Sequence, residues 1–122
     1  MSSLLHDIPT QTVFALALGP ASLNANTTGS SFQLPDGDGT AFAVLQVGGI
    51  EDGTTVAVAF EQSSGNGSWS AVACDLSPVT AHGVTTAALT PTARLLRCTV
   101  TLTGSDPQAD VAVLVGQQKK VV

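Results

Sequence analysis

The feature that most constrains this chain is an alternation of apolar and polar residues that recurs in its long periodic stretches. In residues 55–61 the large apolar side chains stand at every second position, and the same period runs through 98–103 and 111–115. Period two is typical of a strand with one buried face, because successive strand side chains point to opposite sides. No stretch of ten or more residues has the apolar spacing of an amphipathic helix. The pattern predicts an all-β fold with negligible helix.

Turn-forming residues divide the chain at short, fairly regular intervals. Clusters of Gly, Pro, Asn, Asp and Ser, such as 35–39 and 63–67, separate the alternating segments. Between the turns the sequence predicts about eight strands, at 12–18, 30–34, 41–47, 54–62, 69–74, 84–89, 94–103 and 110–117. Such an array predicts an antiparallel β-sandwich. The spacing leaves open whether its wiring is jelly-roll-like or immunoglobulin-like.

The length of 122 residues predicts one domain with a core of its own. We expect an N-terminal arm at 1–11, the β-sandwich domain at 12–118 and a C-terminal tail at 119–122. The arm stands outside the strand pattern, and its first residues lack the Lys or Arg with which a secretory signal begins.

Both chain ends carry residues that we expect to contact a partner. Leu4, Leu5 and Ile8 form an apolar cluster in the arm, and burying each would contribute roughly 1.5–3 kcal/mol before ordering costs. Lys119 and Lys120 follow the last predicted strand, where they would steer an acidic domain toward an acidic surface. A terminal segment without a partner and a solvated lysine pair remain the alternatives.

Charged residues are scarce, at 11% of the chain, against roughly a quarter in ordinary soluble proteins. A neutral surface suits a protein whose faces are covered by neighbours, since charged side chains cost desolvation and entropy there; a compositional bias toward Ala, Thr and Gly is the alternative. The net charge of −5, with four basic residues, argues against nucleic-acid binding. No apolar stretch approaches the ~20 residues of a membrane helix, so we expect no membrane partner.

Residues for catalysis or metal binding are few. His6 and His82 belong to no recognisable pattern of acidic or thiol partners, and no known nucleophile or phosphate-binding motif appears. Asp36 and Asp38 alternate with glycine as in a calcium loop, but the glutamate that would complete one is missing. We therefore expect a Gly-rich turn there, no enzymatic activity, no metal and no cofactor.

Three other side chains have more than one possible role. Cys98 is in register with apolar positions and should point inward, whereas Cys74 ends a predicted strand; we expect free thiols, with a cross-sheet disulfide as the alternative. Trp69 opens a predicted strand after the turn at 63–68. We expect it to cap the core. An exposed Trp69 would instead indicate a ligand site, because sugar rings stack on indole faces.

Two segments resemble structural proteins of tailed bacteriophages. Residues 60–72 form a strand ending in an acidic residue, a Ser/Gly/Asn turn, and Trp69 with an apolar residue three positions later. Residues 95–104 and a final apolar strand at 111–116 complete the pattern. Over residues 42–117 the chain is similar to the small β-sandwich decoration, or cement, proteins of phage heads. It departs from them in its few charges and in having no aromatic residue beside Arg97 in the sequence.

The resemblance implies a structural virion protein that is made in the host cytoplasm and lies on the capsid surface. It implies the major capsid protein as partner and assembly as a homotrimer, with no role for nucleic acid or membrane. Two alternatives remain open: a carbohydrate-binding or adhesin-like module with Trp69 at its site, and a phage tail structural protein.

Overall fold

The computed structural model of the chain describes residues 12–33, 40–93 and 95–118. Across these ranges the chain forms nine β-strands and no helix. The strands are β1 (Thr12–Leu23), β2 (Thr27–Thr28), β3 (Phe32–Gln33), β4 (Thr40–Ile50), β5 (Thr55–Ser63), β6 (Ser70–Cys74), β7 (Gly83–Thr90), β8 (Leu95–Thr103) and β9 (Ala109–Gln118). The prediction of an all-β fold is confirmed.

Each of the eight predicted strands corresponds to an observed one. The largest difference is in β1, which continues to Leu23 although the predicted strand ended at residue 18. Gly19 and Pro20 lie instead in a register shift between Leu18 and Ala21, where a proline without an N–H group is tolerated. The unpredicted strand β2 has two residues, too few to show any period.

The strands form one antiparallel sheet in the order β1-β9-β4-β7-β6-β5-β8-β2, with β3 also paired to β8. The short strand β6 joins two halves, since residues 70–72 pair with β5 and residues 73–74 pair with β7. The sheet is nearly closed into a barrel. The antiparallel arrangement is thus confirmed, whereas sandwich wiring of the jelly-roll or immunoglobulin type stays a prediction.

The interior holds the residues that the alternation placed there. All three alternating runs used for the prediction contribute their inward side chains to one cluster, so their assignment to the core is confirmed. The buried cluster consists of Ala17, Leu23, Ala41, Ala43, Leu45, Val47, Val56, Val58, Phe60, Val72, Leu89, Leu96, Cys98, Val100, Leu102, Ala109, Val111, Val113 and Val115.

The barrel comes close to closure where β1 approaches β8. The segment 24–33, which follows β1 and contains β2 and β3, runs along β8 at this point. The Asn26 side-chain oxygen accepts a hydrogen bond from the Leu102 N–H at 3.0 Å, and the Gly29 N–H donates to the Cys98 carbonyl at 2.9 Å. A Cβ atom on Gly29 would lie 2.2 Å from the Ala17 carbonyl oxygen. Glycine is therefore required for β1 to come this close.

One end of the barrel gathers acidic residues. The β4–β5 and β8–β9 turns are adjacent there, since the Glu51 N–H donates to the Gln108 carbonyl at 2.9 Å. Glu51 and Asp52 lie in or beside the first turn, Asp106 lies in the second, and Asp110 follows near the start of β9. We call this the acidic end.

Candidate functional site

Most of the predicted site residues lie outside the described residues, so the structure tests neither the arm nor the tail. They are Leu4, Leu5 and Ile8 of the arm, Lys119 and Lys120 of the tail, and Asp36 and Asp38 of the expected turn.

The points where these segments join the barrel are described, and they lie together. Thr12, which follows the arm, pairs with Gln118, which precedes the tail. Gln118 pairs on its other side with Thr40, the first residue after the segment 34–39. The three attachment points therefore form one row across β1, β9 and β4, at the end of the barrel opposite the acidic end.

Trp69 is the predicted site residue that the structure describes. It is half-buried and its indole stacks on the Arg97 guanidinium, whose central carbon lies 4.2 Å from the ring centroid. The expectation that Trp69 caps the core was wrong, because Arg97 occupies an outward position of β8 and holds the ring at the surface. The fold supplies the aromatic neighbour of Arg97 that the local sequence lacks.

Glu61 completes this cluster, which we call the Trp69 site. Its Oε1 atom accepts a hydrogen bond from Arg97 Nε at 2.9 Å, and the two residues are directly opposite each other on β5 and β8. Both side chains are about one-third exposed, so solvent weakens the ion pair. Sequence reasoning missed Glu61 and Arg97 as partners, because their pairing follows only from the register of two strands far apart in the chain.

The turn between β5 and β6 sets the position of the indole. Gly65 and Gly67 have φ of 103° and 86°, values that favour glycine. The Ser63 hydroxyl accepts a hydrogen bond from the Gly65 N–H at 3.1 Å, and the Asn66 side-chain oxygen accepts one from the Ser68 N–H at 3.0 Å. Local side-chain bonds of this kind fix a turn's path.

The indole borders a shallow pocket of about 240 Å³. One wall is fixed by Gln62, whose side-chain oxygen accepts hydrogen bonds from the Thr92 and Ala93 N–H groups at 2.7 and 3.2 Å. An aromatic ring beside hydroxyl and amide groups suits a polar ligand with an apolar face, such as a sugar. The lining residues are Gln62, Ser63, Ser64, Asn66, Ser68, Trp69, Ser70 and Ala93.

The two cysteines are free thiols, and Cys98 points into the core as predicted. Burial raises the pKa of the Cys98 thiol, and burial also raises the pKa of Cys74. Both are therefore protonated at neutral pH, and a protonated thiol is a poor nucleophile and metal ligand. Within the described ranges, no three residues among His, Cys, Asp and Glu are grouped so as to hold a metal ion.

The outer surfaces of the two halves of the sheet differ in character. On β5 and β8 the outward side chains are Ala, Thr and the Glu61–Arg97 pair, with Ser63 and Leu95 opposite each other at one end of the two strands. On the other half they are largely apolar, with the polar Gln46 and Thr86 among them. We call the following set, of which Ala112 is buried, the apolar face: Leu16 of β1, Phe42 and Val44 of β4, Val84 of β7, and Ala112 and Leu114 of β9. Leu16 and Val84 are 55% and 65% exposed and are the large hydrophobic residues most open to solvent in the described part of the chain.

Comparison with protein families, with curated proteins and with solved structures finds no match to this chain. None of the described segments forms a helix long and apolar enough to cross a membrane. The class that the fold defines is therefore an antiparallel all-β domain, with two surface features of note, the Trp69 site and the apolar face.

Proposed function

We propose that this chain is a structural virion protein of a tailed phage, specifically a decoration or cement protein that binds the major capsid protein on the outer shell and stabilises it. The observation that carries the proposal is the apolar face, a broad outer sheet surface without charged side chains. Soluble monomers rarely leave such a surface open, and it is typical of proteins that act in assemblies. In this proposal the nine-stranded sheet serves as the β-sandwich of that class, jelly-roll-like or immunoglobulin-like in its wiring.

The placement of the chain ends supports attachment in one orientation. Arm and tail join the barrel side by side at Thr12 and Gln118, so the apolar residues of the arm and the lysines of the tail can act on the same partner. The acidic end lies at the far side. An acidic shell would repel the acidic end and attract the lysines, so we propose that the attachment row faces the capsid. Assembly as a homotrimer is part of this proposal and follows from the resemblance.

The direct test uses virions of the phage that carries the gene. We expect mass spectrometry of purified particles to find the chain in a copy number comparable with that of the shell protein, and cryo-electron microscopy to show it on the outside of the head. Its absence from virions would refute the proposal. Its presence in tails alone would establish the tail alternative instead.

Deleting residues 2–9 tests the role of the arm. We expect binding to undecorated capsids to weaken at least tenfold, since three apolar side chains are lost, with each worth more than the roughly 1.4 kcal/mol of a tenfold change. The melting temperature of the free protein should change by no more than about 3 °C. Replacing Lys119 and Lys120 by glutamine is the companion variant, expected to slow association mainly at low salt. A large drop in melting temperature with binding retained would assign the arm to the fold.

A second candidate function rests on the half-exposed Trp69 beside its polar pocket. In a carbohydrate-binding module this indole would stack on a sugar ring while the surrounding hydroxyls and amides bind its polar edge. The module would need no catalysis, and it would bind glycans in the absence of any capsid.

Intrinsic fluorescence separates the two functions, because Trp69 is the single tryptophan and the chain has no tyrosine. For a decoration protein we expect no saturable change in emission with any member of a panel of mono- and oligosaccharides. A saturable change that Trp69→Ala abolishes would establish the carbohydrate function. Arg97→Gln is the matched control: it removes the cation from the ring, should shift the emission to longer wavelength, and should cost no more than about 1 kcal/mol of stability at this half-exposed site.

A further inference from the structure

We infer that the apolar face binds a second copy of this chain. The inference goes beyond the proposed function, because a two-fold contact joins two copies and is separate from the heterologous contact that a homotrimer needs. It rests on that proposal only for its biological setting, because the contact itself follows from the geometry and chemistry of the face.

The outward side chains of β8 and β9 differ, and β8 serves as the reference for a solvent-exposed sheet surface. An antiparallel sheet with one solvated face normally alternates apolar inward with polar outward residues. Strand β8 follows this rule, with Thr99, Thr101 and Thr103 outward and buried apolar residues between them. Strand β9 departs from it, because the half-buried Leu114 points outward between buried valines and Ala112, on the same side of the strand, is itself buried. Contact with solvent therefore accounts for the polar outward residues of β8, but it does not account for the apolar outward residues of β9.

The side chains of the apolar face are contiguous across the strands. Leu16, Leu114 and Val44 occupy one row, since Leu114 pairs with both of the others. In the adjacent row Ala112 and Val84 flank Gln46. These three residues line a groove of about 400 Å³, to which His82 and Asp110 also contribute. The face is thus a continuous ridge and groove, which is the relief that sheet-on-sheet packing requires.

The next row toward the attachment points has the same character. There the Phe42 ring lies over Gly116, occupying the space that a Cβ atom on that glycine would need. An aromatic side chain laid over a glycine keeps the surface apolar and flat at this position.

Charge favours a second copy over a foreign partner. A two-fold contact brings the same patch of both copies together, so a charge near the two-fold axis would oppose its own copy. The six residues of the apolar face carry none, and Asp110, which lines the groove beside them, accepts a hydrogen bond from the Ser22 hydroxyl. In a chain with a net charge of −5, a neutral face is where two copies approach with least repulsion. A foreign partner would gain specificity from complementary charges, and the face offers none.

The area of the face predicts how strong the contact is. Four strands spaced about 4.8 Å apart, over about six residues, span roughly 20 Å by 20 Å. Two copies would then cover roughly 800 Å² in all, below the ~1,200 Å² of stable interfaces. The free protein should therefore form a weak two-fold dimer, with its sheets about 10 Å apart, and repetition on a shell would strengthen the contact.

The test is sedimentation of the full-length chain from low micromolar to near-millimolar concentration. We expect reversible, concentration-dependent dimerisation, and we expect Val84→Asp to weaken it at least tenfold. Thr101→Asp is the matched control: it places the same charge at another outward β-branched residue, on β8, and should leave association unchanged. Circular dichroism and melting temperature verify that both variants fold.

Three outcomes would overturn the inference: a wild-type chain that stays monomeric throughout, dimerisation that survives Val84→Asp, and a trimer insensitive to that change. The variant lacking residues 2–9 identifies the alternative occupant. If the full-length chain is monomeric and the deletion exposes an apolar surface to a hydrophobic dye, the arm covers the face. A chain found in virions but monomeric in solution would refute this inference and leave the proposed function standing.

Discussion

Gly29→Ala is expected to destabilise the protein by roughly 3 kcal/mol, because it forces apart the strands that bring the barrel close to closure. The added Cβ atom would lie 2.2 Å from the Ala17 carbonyl oxygen and 3.3 Å from the Cys98 sulfur. The first of these atoms belongs to the backbone and cannot rotate away, so β1 must shift. Thermal unfolding should show a melting temperature lower by about 10 °C.

Gly19→Ala is the matched control for this experiment. It adds the same methyl group on β1, but the nearest atom to its Cβ would be Leu16 Cδ2 at 3.7 Å, an ordinary contact. Its effect should stay within about 0.5 kcal/mol. Equal losses in the two variants would show that glycine matters here for backbone freedom and not for the approach of β1 to Gly29.

Phe60→Ala should cost roughly 3–5 kcal/mol, a large share of the 5–15 kcal/mol that stabilises a typical domain. The Phe60 side chain is 1% exposed and is the largest of the fully buried side chains in the described residues. Removing it leaves a cavity between the two halves of the sheet. Urea unfolding should show a lower midpoint with an unchanged slope, which separates lost stability from a change in the unfolded state.

Val84→Ala provides the reference for a truncation at the surface. Val84 is 65% exposed, so in dilute solution its loss should change stability by no more than about 0.5 kcal/mol. If Phe60→Ala were no more costly than Val84→Ala, the core described above would be wrong.

The alternation of residue types was enough to locate the strands and their buried faces. Phe60, Cys98 and Val113 each lie inside as predicted, because period two is a local property of the chain. Strand partners are not local. Nothing in the sequence near Glu61 indicates that Arg97 lies opposite it, and the approach of Gly29 to Ala17 depends on how the whole sheet curves.

The sequence indicated the two described surface features, the Trp69 site and the apolar face, only in part. The role of Trp69 depended on a contact with Arg97 that only the register of β5 and β8 creates. The sequence contained one indication of the apolar face. Residues 111–115 are all apolar, but the prediction used only the alternate valines, which it assigned to the core. An uninterrupted apolar run indicates a strand covered on both sides. The sequence alone therefore indicated that Leu114, on the outer side of this strand, is a candidate for burial against another surface.

The pairing of Thr12 with Gln118 brings the two ends of the described chain together, so that the path of the backbone is nearly closed. The two ends of the described chain are neighbours across one pair of strands, about 5 Å apart. A short linker between them, with new termini opened in the exposed turn at 64–68, would retain every strand pairing while changing the order of strands along the chain. Such a permuted protein would carry its free ends beside Trp69 instead of at the attachment row. A protein fused to the new termini beside Trp69 would not block the attachment row.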